Sequence, residues 1–147
     1  MRKIALVLWR IWFYTLTAIP VLVFFIPLAI LLLFPNGYRY VFWVARNIWA
    51  PFVLFGMGFW VKKIDGFPPE GKSFMLVANH TSYIDIMVML RMRKTPFVFV
   101  GKKELVQIPI FGYLYKRAAI MVDRSSSKSR FEVYERAQKV IQKGYSV

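Results

Sequence analysis

The chain contains a single imidazole, His80, and five positions further on a carboxylate, Asp85, in the stretch Asn79-His80-Thr81-Ser82-Tyr83-Ile84-Asp85. A carboxylate beside an imidazole selects its tautomer and stabilises the imidazolium that forms when a proton is taken, which is what a general base needs to activate an alcohol. The flanking pattern predicts where the pair lies. Apolar residues 74–78 read as a buried strand and residues 82–91 as a helix, so His80 falls at a strand-to-helix junction, the place where α/β sheets bind ligands. With Ser82 as the helix cap, Asp85 sits in the first turn and its carboxylate can fold back toward the loop. The same spacing supports a second reading: Ser82-x-x-Asp85 is close to a capping box, in which the acid serves only the helix terminus. The two roles are compatible.

Composition narrows the chemistry. The chain has no cysteine, which excludes disulfides, thiolate metal ligands and cysteine nucleophiles, and with one histidine and seven acidic residues no protein metal site is expected. At 147 residues and 58% hydrophobic it has the size and apolar content of one folded domain. The formal net charge of +14 would attract nucleic acid, anionic lipid or a polyanionic substrate alike. Its distribution favours lipid. The first 60 positions are long apolar stretches carrying five basic residues and no acidic ones; a nucleic-acid binder has no need of such apolar stretches, whereas each Lys or Arg near an anionic bilayer gains about 1 kcal/mol. Membrane lipid is therefore the expected partner, and nucleic acid is not.

Arg2, Lys3 and Arg10 precede an uncharged run over residues 11–34, which as a helix would extend roughly 36 Å, enough to span a bilayer. Pro20 and Pro27 are expected to kink it. The run is longer than the apolar core of a signal peptide and no small-x-small site follows, so retention is expected. After Pro35-Asn36-Gly37, a second apolar stretch over 40–61 is interrupted by Arg46, Asn47 and Pro51. It reads either as a returning helix that closes a hairpin or as an aromatic helix lying in the interface. Lys62 and Lys63 on the far side, with Arg2, Lys3 and Arg10 on the near side, place both ends on the cytoplasmic face by the positive-inside rule.

From Ile64 onward, short apolar runs alternate with turn residues in an α/β rhythm. Residues 66–71 form a loop, 97–100 a second strand and 119–122 a third; Ser125-Ser126-Ser127 leads into a helix over 130–143. In that helix Phe131, Tyr134, Ala137, Val140 and Ile141 share a face, and Gly144 is placed as its C-terminal cap. Tyr145-Ser146-Val147 reads as the opening of another strand, from which a fragment of a longer chain is expected. The expected division is 1–62, a membrane anchor of one or two hydrophobic helices, and 63–147, the amino-terminal part of a catalytic domain.

The segment 79–85 matches the NHxxxxD signature, and the chain resembles the glycerophospholipid acyltransferase family, in particular the bacterial 1-acyl-sn-glycerol-3-phosphate acyltransferases. A second block carries the resemblance further: Lys102-Lys103-Glu104-Leu105, then Pro109, Phe111 and Gly112, then Ala119-Ile120-Met121-Val122-Asp123-Arg124 is similar to the family's acceptor-binding block. Ala118-Ala119 stands where the family usually has glycine, and the family's EGTR-type and proline blocks belong beyond residue 147. The resemblance implies an αβα acyltransferase sheet, incomplete here, behind a membrane-associated helical hairpin. It implies that His80 deprotonates the hydroxyl of lysophosphatidic acid, that Asp85 orients His80, and that the acyl group comes from an acyl carrier protein or coenzyme A thioester, with no other cofactor. Lys102, Lys103 and Arg124 are implied to hold the acceptor phosphate, and Asn79 and Ser82 to shape the site. It also implies action at the cytoplasmic face of the cell membrane, with another lysolipid acceptor, or an inactive lipid-binding protein, as the alternatives.

Overall fold

The computed structural model describes residues 2–62, 64, 66, 69, 71–79 and 81–147. His80 lies outside the described residues, as do Lys63 of the basic flank and Phe67, Pro68 and Glu70 of the expected loop. The architecture is α/β, with an N-terminal apolar helical hairpin followed by a small parallel sheet and its covering helices.

The apolar run forms α1 (Arg2–Val23) and α2 (Phe25–Leu31). The break falls at Phe24 because Pro27 has no amide to offer the Val23 carbonyl and its ring crowds that oxygen. Pro20, by contrast, is absorbed within α1. Among the described residues one helix, Lys3–Val23, is long and apolar enough to cross a membrane. The chain then turns at Asn36 into α3 (Gly37–Val44), a π-helical turn (Ala45–Trp49) and α4 (Ala50–Gly56), which run on without a cap between them. The π turn coincides with Arg46 and Asn47 and ends beside Pro51, where one ladder bond is missing and the helix must widen.

The second stretch thus returns alongside the first. Trp12 Nε1 donates to the Gly56 carbonyl at 2.9 Å and Trp49 Nε1 to the Thr17 carbonyl at 3.0 Å, contacts that fix an antiparallel hairpin. Gly56 permits the close approach, since a Cβ there would press into the Leu16 side chain. Arg46 turns away from the apolar face: its Nε donates to the Arg93 carbonyl at 2.7 Å, while Arg91 Nη1 donates to the Arg46 carbonyl at 3.3 Å.

The α/β part contains α5 (Ile84–Met92), β1 (Phe99–Lys102), a 3₁₀ turn (Lys103–Gln107), α6 (Phe111–Ala118), β2 (Ala119–Val122) and α7 (Ser127–Gln142). β1 and β2 pair in parallel, Phe99 opposite Ala119 through Lys102 opposite Val122, and the 3₁₀ turn with α6 makes the crossover that parallel strands require. Helix α6 was not foreseen. The third expected strand, 119–122, coincides with β2, while the second begins two residues later than expected because Phe97 bridges to Ser146 instead.

The expected buried strand at 74–78 is corrected: no strand forms there, and Val77 is 89% exposed. Only its first part is held, by Val147 N to the Phe74 carbonyl (2.9 Å) and Leu76 N to the Val147 carbonyl (2.6 Å). Residues 145–147 therefore pair on both sides, with Val98 N also donating to the Ser146 carbonyl at 2.9 Å.

Helix α7 is capped by Ser126, whose Oγ accepts from Ser129 N at 3.2 Å. It closes at Gly144 (φ +83°), with Tyr145 N bonded to the Val140 carbonyl and Gly144 N to the Ile141 carbonyl, the paired bonds of a Schellman ending. Its inner face differs from the expected one. Ala137, Val140 and Ile141 pack with Val98, Ile120 and Val147, but Val133 joins them while Phe131 and Tyr134 are exposed.

The main core unites Leu16, Phe42, Ala50, Val53, Leu54, Met57, Met87, Leu90 and Phe97. It crosses the position where the charge pattern changes, so the hairpin and α5 fold against one another. Tyr38 Oη, donating to the Phe97 carbonyl at 2.6 Å, ties α3 to the sheet as well.

Candidate active site

The turn that enters α5 is organised by Asp85. Its Oδ2 accepts from Thr81 N at 2.8 Å and from Ser82 N at 2.7 Å, while the Asp85 amide donates to the Ser82 carbonyl at 3.2 Å. One carboxylate oxygen thus binds the amides of the two residues that follow His80 in the sequence. These short, charge-assisted bonds hold the turn more firmly than neutral ones would, and the negative charge faces the positive end of α5. The capping geometry differs from a full box, because helix α5 begins at Ile84 and Ser82 Oγ meets only Ile84 N, at 3.4 Å. Asn79, Thr81, Ser82 and Tyr83 are exposed, whereas Asp85 is half-buried.

Beside this turn runs a groove of about 500 Å³, walled on one side by Thr81, Ser82, Tyr83 and Ile84 and on the other by the hairpin. Trp9, Phe13 and Tyr14 of α1, with Met57 and Phe59, make it apolar; Arg10 puts one cation on its wall. Sequence reading treated Arg10 only as a flanking charge. The signal available was its helical neighbourhood, one turn from Phe13 and Tyr14, but the partner surface comes from seventy residues away and was not legible.

A second cleft, about 420 Å³, lies at the end of the sheet and is lined by Lys102, Glu104, Asp123, Arg124 and Ser125. The parallel register explains it: Lys102 pairs with Val122, so the residues leaving β1 and β2 emerge together. Of the basic residues expected to hold a phosphate, Lys102 and Arg124 share this cleft. Lys103 is exposed next to it, and its charge acts on Asp123. Glu104 and Asp123, both within the second sequence block, also line it, and Ser125 was not anticipated there. The Ser125 hydroxyl and amide donate to Asp123 Oδ1 and hold that carboxyl below its ordinary value, with Lys103 adding to the effect. The anionic form of Asp123 is thereby favoured, with Lys103 as a nearby cation. Tyr115 Oη donates to the Lys102 carbonyl at 3.1 Å, and burial raises the Tyr115 pKa above its ordinary value.

The two cavities have no lining residue in common. The structure places Ser82 on the wall of the first, bonded through its amide to Asp85, and brings Lys102 and Arg124 together at the second. Gly112 has a backbone reason for its place in the second block: a Cβ there would overlap the Val106 carbonyl. Among the described residues no group of three His, Asp or Glu side chains is placed to hold a metal ion.

A family model described as Acyltransferase matches residues 61–147. Among curated proteins, a 1-acyl-sn-glycerol-3-phosphate acyltransferase of the alga Chlamydomonas reinhardtii is 27% identical over 84 residues, 56% of this chain and 25% of that protein. A protein of the same name from Cocos nucifera is 32% identical over 85 residues, 53% of this chain and 28% of that protein. A chloroplastic one from Arabidopsis thaliana is 26% identical over 88 residues, 59% of this chain and 24% of that protein. The chain thus matches about a quarter of the length of these algal and plant relatives. No solved structure matches it.

Proposed function

We propose that this chain, which belongs to the Acyltransferase family by a match over residues 61–147, takes part in moving a fatty acyl group from a thioester to the free sn-2 hydroxyl of 1-acyl-glycerol-3-phosphate, giving phosphatidic acid. The observation that carries the reading is the Asp85 clamp on the Thr81 and Ser82 amides, which anchors a carboxylate on the two residues that follow the chain's one histidine in sequence.

In this reading the His80 imidazole accepts the hydroxyl proton as the oxygen attacks the thioester carbonyl. The tetrahedral intermediate then expels the thiolate of coenzyme A or of an acyl carrier protein. Asp85 orients His80 and offsets the charge of the imidazolium. No acyl-enzyme is required, because an activated thioester needs only a base, proximity and charge stabilisation. The groove beside Thr81–Ser82, with its aromatic wall, offers a path for an acyl chain. Lys102 and Arg124 offer the acceptor phosphate a cationic cleft, Arg with bidentate geometry; Ser82 lines the groove and Lys103 lies near Asp123 of the cleft, and Asn79 is assigned to the site by resemblance alone.

For location, the hairpin supports a membrane seat. It touches the α/β part through Trp9–Tyr14 at the groove, through Phe25 against Tyr113 and through Tyr38 against Phe97. In this reading a hairpin held at these three places lies on the bilayer with its apolar face in one leaflet, at the cytoplasmic surface of the cell membrane. Lipid substrates then arrive by lateral diffusion.

The test is an acyl-transfer assay on membranes containing the protein, with lysophosphatidic acid as acceptor and either acyl-coenzyme A or acyl-carrier protein as donor. Phosphatidic acid should form with the parent chain and not with His80→Ala, while membrane association is unchanged. Substantial transfer by His80→Ala removes the general-base assignment.

A further inference from the structure

Between the 3₁₀ turn and α6 the chain makes an unusual corner. Ile110 has φ +65° and ψ −60°, and Phe111 N closes a three-residue turn onto the Pro109 carbonyl at 2.6 Å. This hand of γ-turn is rare, and a β-branched residue in the left-handed region is strained there. Packing does not explain the choice of isoleucine, since Ile110 is 42% exposed, and so are Ile108 at 46% and Tyr113 at 38%. The corner thus holds three large apolar side chains outward within six residues.

The surroundings say what covers them. The Tyr113 ring meets the Phe25 ring of α2 edge-on, with centroids 5.9 Å apart, and on α2 the neighbouring Ile26 and Ile30 are exposed at 69% and 51%. The apolar surface of the corner is therefore continuous with that of the hairpin. Its border is basic: Lys116 and Arg117 follow on α6, and the Arg117 guanidinium lies 3.7 Å from the Tyr113 ring centroid with Nη1 donating to the Tyr113 carbonyl at 3.2 Å. An apolar tip, a tyrosine and a cationic collar suit the boundary between acyl chains and anionic headgroups.

We propose that the corner over residues 108–113 is a second lipid-inserting element, which dips into an anionic leaflet beside the hairpin. It rests on the reading of the hairpin as membrane-seated. Because the crossover that contains it leads out of β1 at Lys102 and into β2, insertion seats the Lys102–Arg124 cleft near the headgroup layer, where a lysolipid's phosphate resides.

The absence of native cysteine makes the test clean. Single cysteines are introduced in the whole chain as Ile108→Cys and, separately, Ile110→Cys, with Ile26→Cys reporting on the hairpin and Glu135→Cys on water. Each is labelled with an environment-sensitive fluorophore in mixed phosphatidylcholine and phosphatidylglycerol vesicles, with and without nitroxide on the acyl chains. The 108 and 110 labels should shift to the blue and be quenched at least half as strongly as the label at 26, with the 135 label unaffected. Quenching at 26 but not at 108 or 110 overturns the proposal and leaves the hairpin reading intact. A blue shift without quenching also overturns it, since another protein surface then covers the corner. Absence of quenching at all positions overturns both readings. Ile108 has ordinary backbone angles (φ −69°, ψ 120°), so its cysteine variant reports even where the one at 110 disturbs the turn.

Discussion

Replacing Asp85 separates two roles that one side chain can fill at once. As a cap, its Oδ2 accepts from Thr81 N and Ser82 N at 2.8 and 2.7 Å. Bonds to a charged group are worth about 1.5–3 kcal/mol each when water is kept out. Thr81 and Ser82 are exposed, however, so water replaces much of what is lost, and the cost of Asp85→Ala falls near the usual helix-cap figure of about 1.5 kcal/mol. That corresponds to a fall in Tm of roughly 3–6 °C for a chain of this size. Asp85→Asn behaves differently, because a single carboxamide oxygen can accept both amides and Asn caps helices about as well as Asp; its cost should stay below about 1 kcal/mol. The catalytic role responds to charge instead. Removing the carboxylate that stabilises an imidazolium costs roughly 10³- to 10⁴-fold in kcat, or about 4–5.5 kcal/mol of barrier. The assay is therefore paired: thermal unfolding in detergent, and phosphatidic acid formation under saturating substrates. Asp85→Asn should unfold near the parent temperature and lose at least 10³-fold in kcat by the figure for such pairs. A folded Asp85→Asn chain with kcat within about threefold of the parent, well under 1 kcal/mol of barrier, would refute the argument and leave Asp85 as a cap.

Two further substitutions test the second cleft. Arg124→Ala removes a guanidinium from the surface it shares with Lys102 and Asp123; the acceptor KM should rise roughly 10- to 100-fold, as for a lost charged contact, with the donor KM little changed, and an unaltered acceptor KM takes Arg124 out of the phosphate site. Gly112→Ala forces a Cβ into the Val106 carbonyl, a backbone clash costing about 3 kcal/mol; thermal unfolding should show a lowered Tm, and a parent-like Tm would mean the 3₁₀ turn yields freely.

The Asp85 turn was legible because it is local. His80 and Asp85 lie within six positions, and whatever fold surrounds them, a carboxylate in the first turn of a helix reaches back to the amides just before it; the structure shows this reach at Thr81 and Ser82. Helix α7, the serine stretch that leads into it and its Gly144 ending were legible for the same reason, and so was β2, a short apolar run that ends at a turn. The charge asymmetry likewise marked the apolar half from composition alone, and only the folded chain shows that its two stretches return alongside one another.

What the sequence could not determine were the consequences of long-range pairing. Residues 74–78 have a strand's composition, yet a strand exists only where a neighbour supplies hydrogen bonds, and here the chain's last residues reach only as far as Leu76. On α7 the packed residues Val133, Ala137, Val140 and Ile141 recur at i, i+4, i+7 and i+8, so Val133 lies nearer the centre of the buried face than Phe131 and Tyr134, which are exposed. Arg46 looked like a flaw in an apolar helix until Arg91 and Arg93 arrived from α5 to engage it. Local spacing specifies caps and turns because their partners are a few residues away on the same backbone; burial, groove walls and the meeting of Lys102 with Arg124 depend on segments that only the folded chain brings into contact.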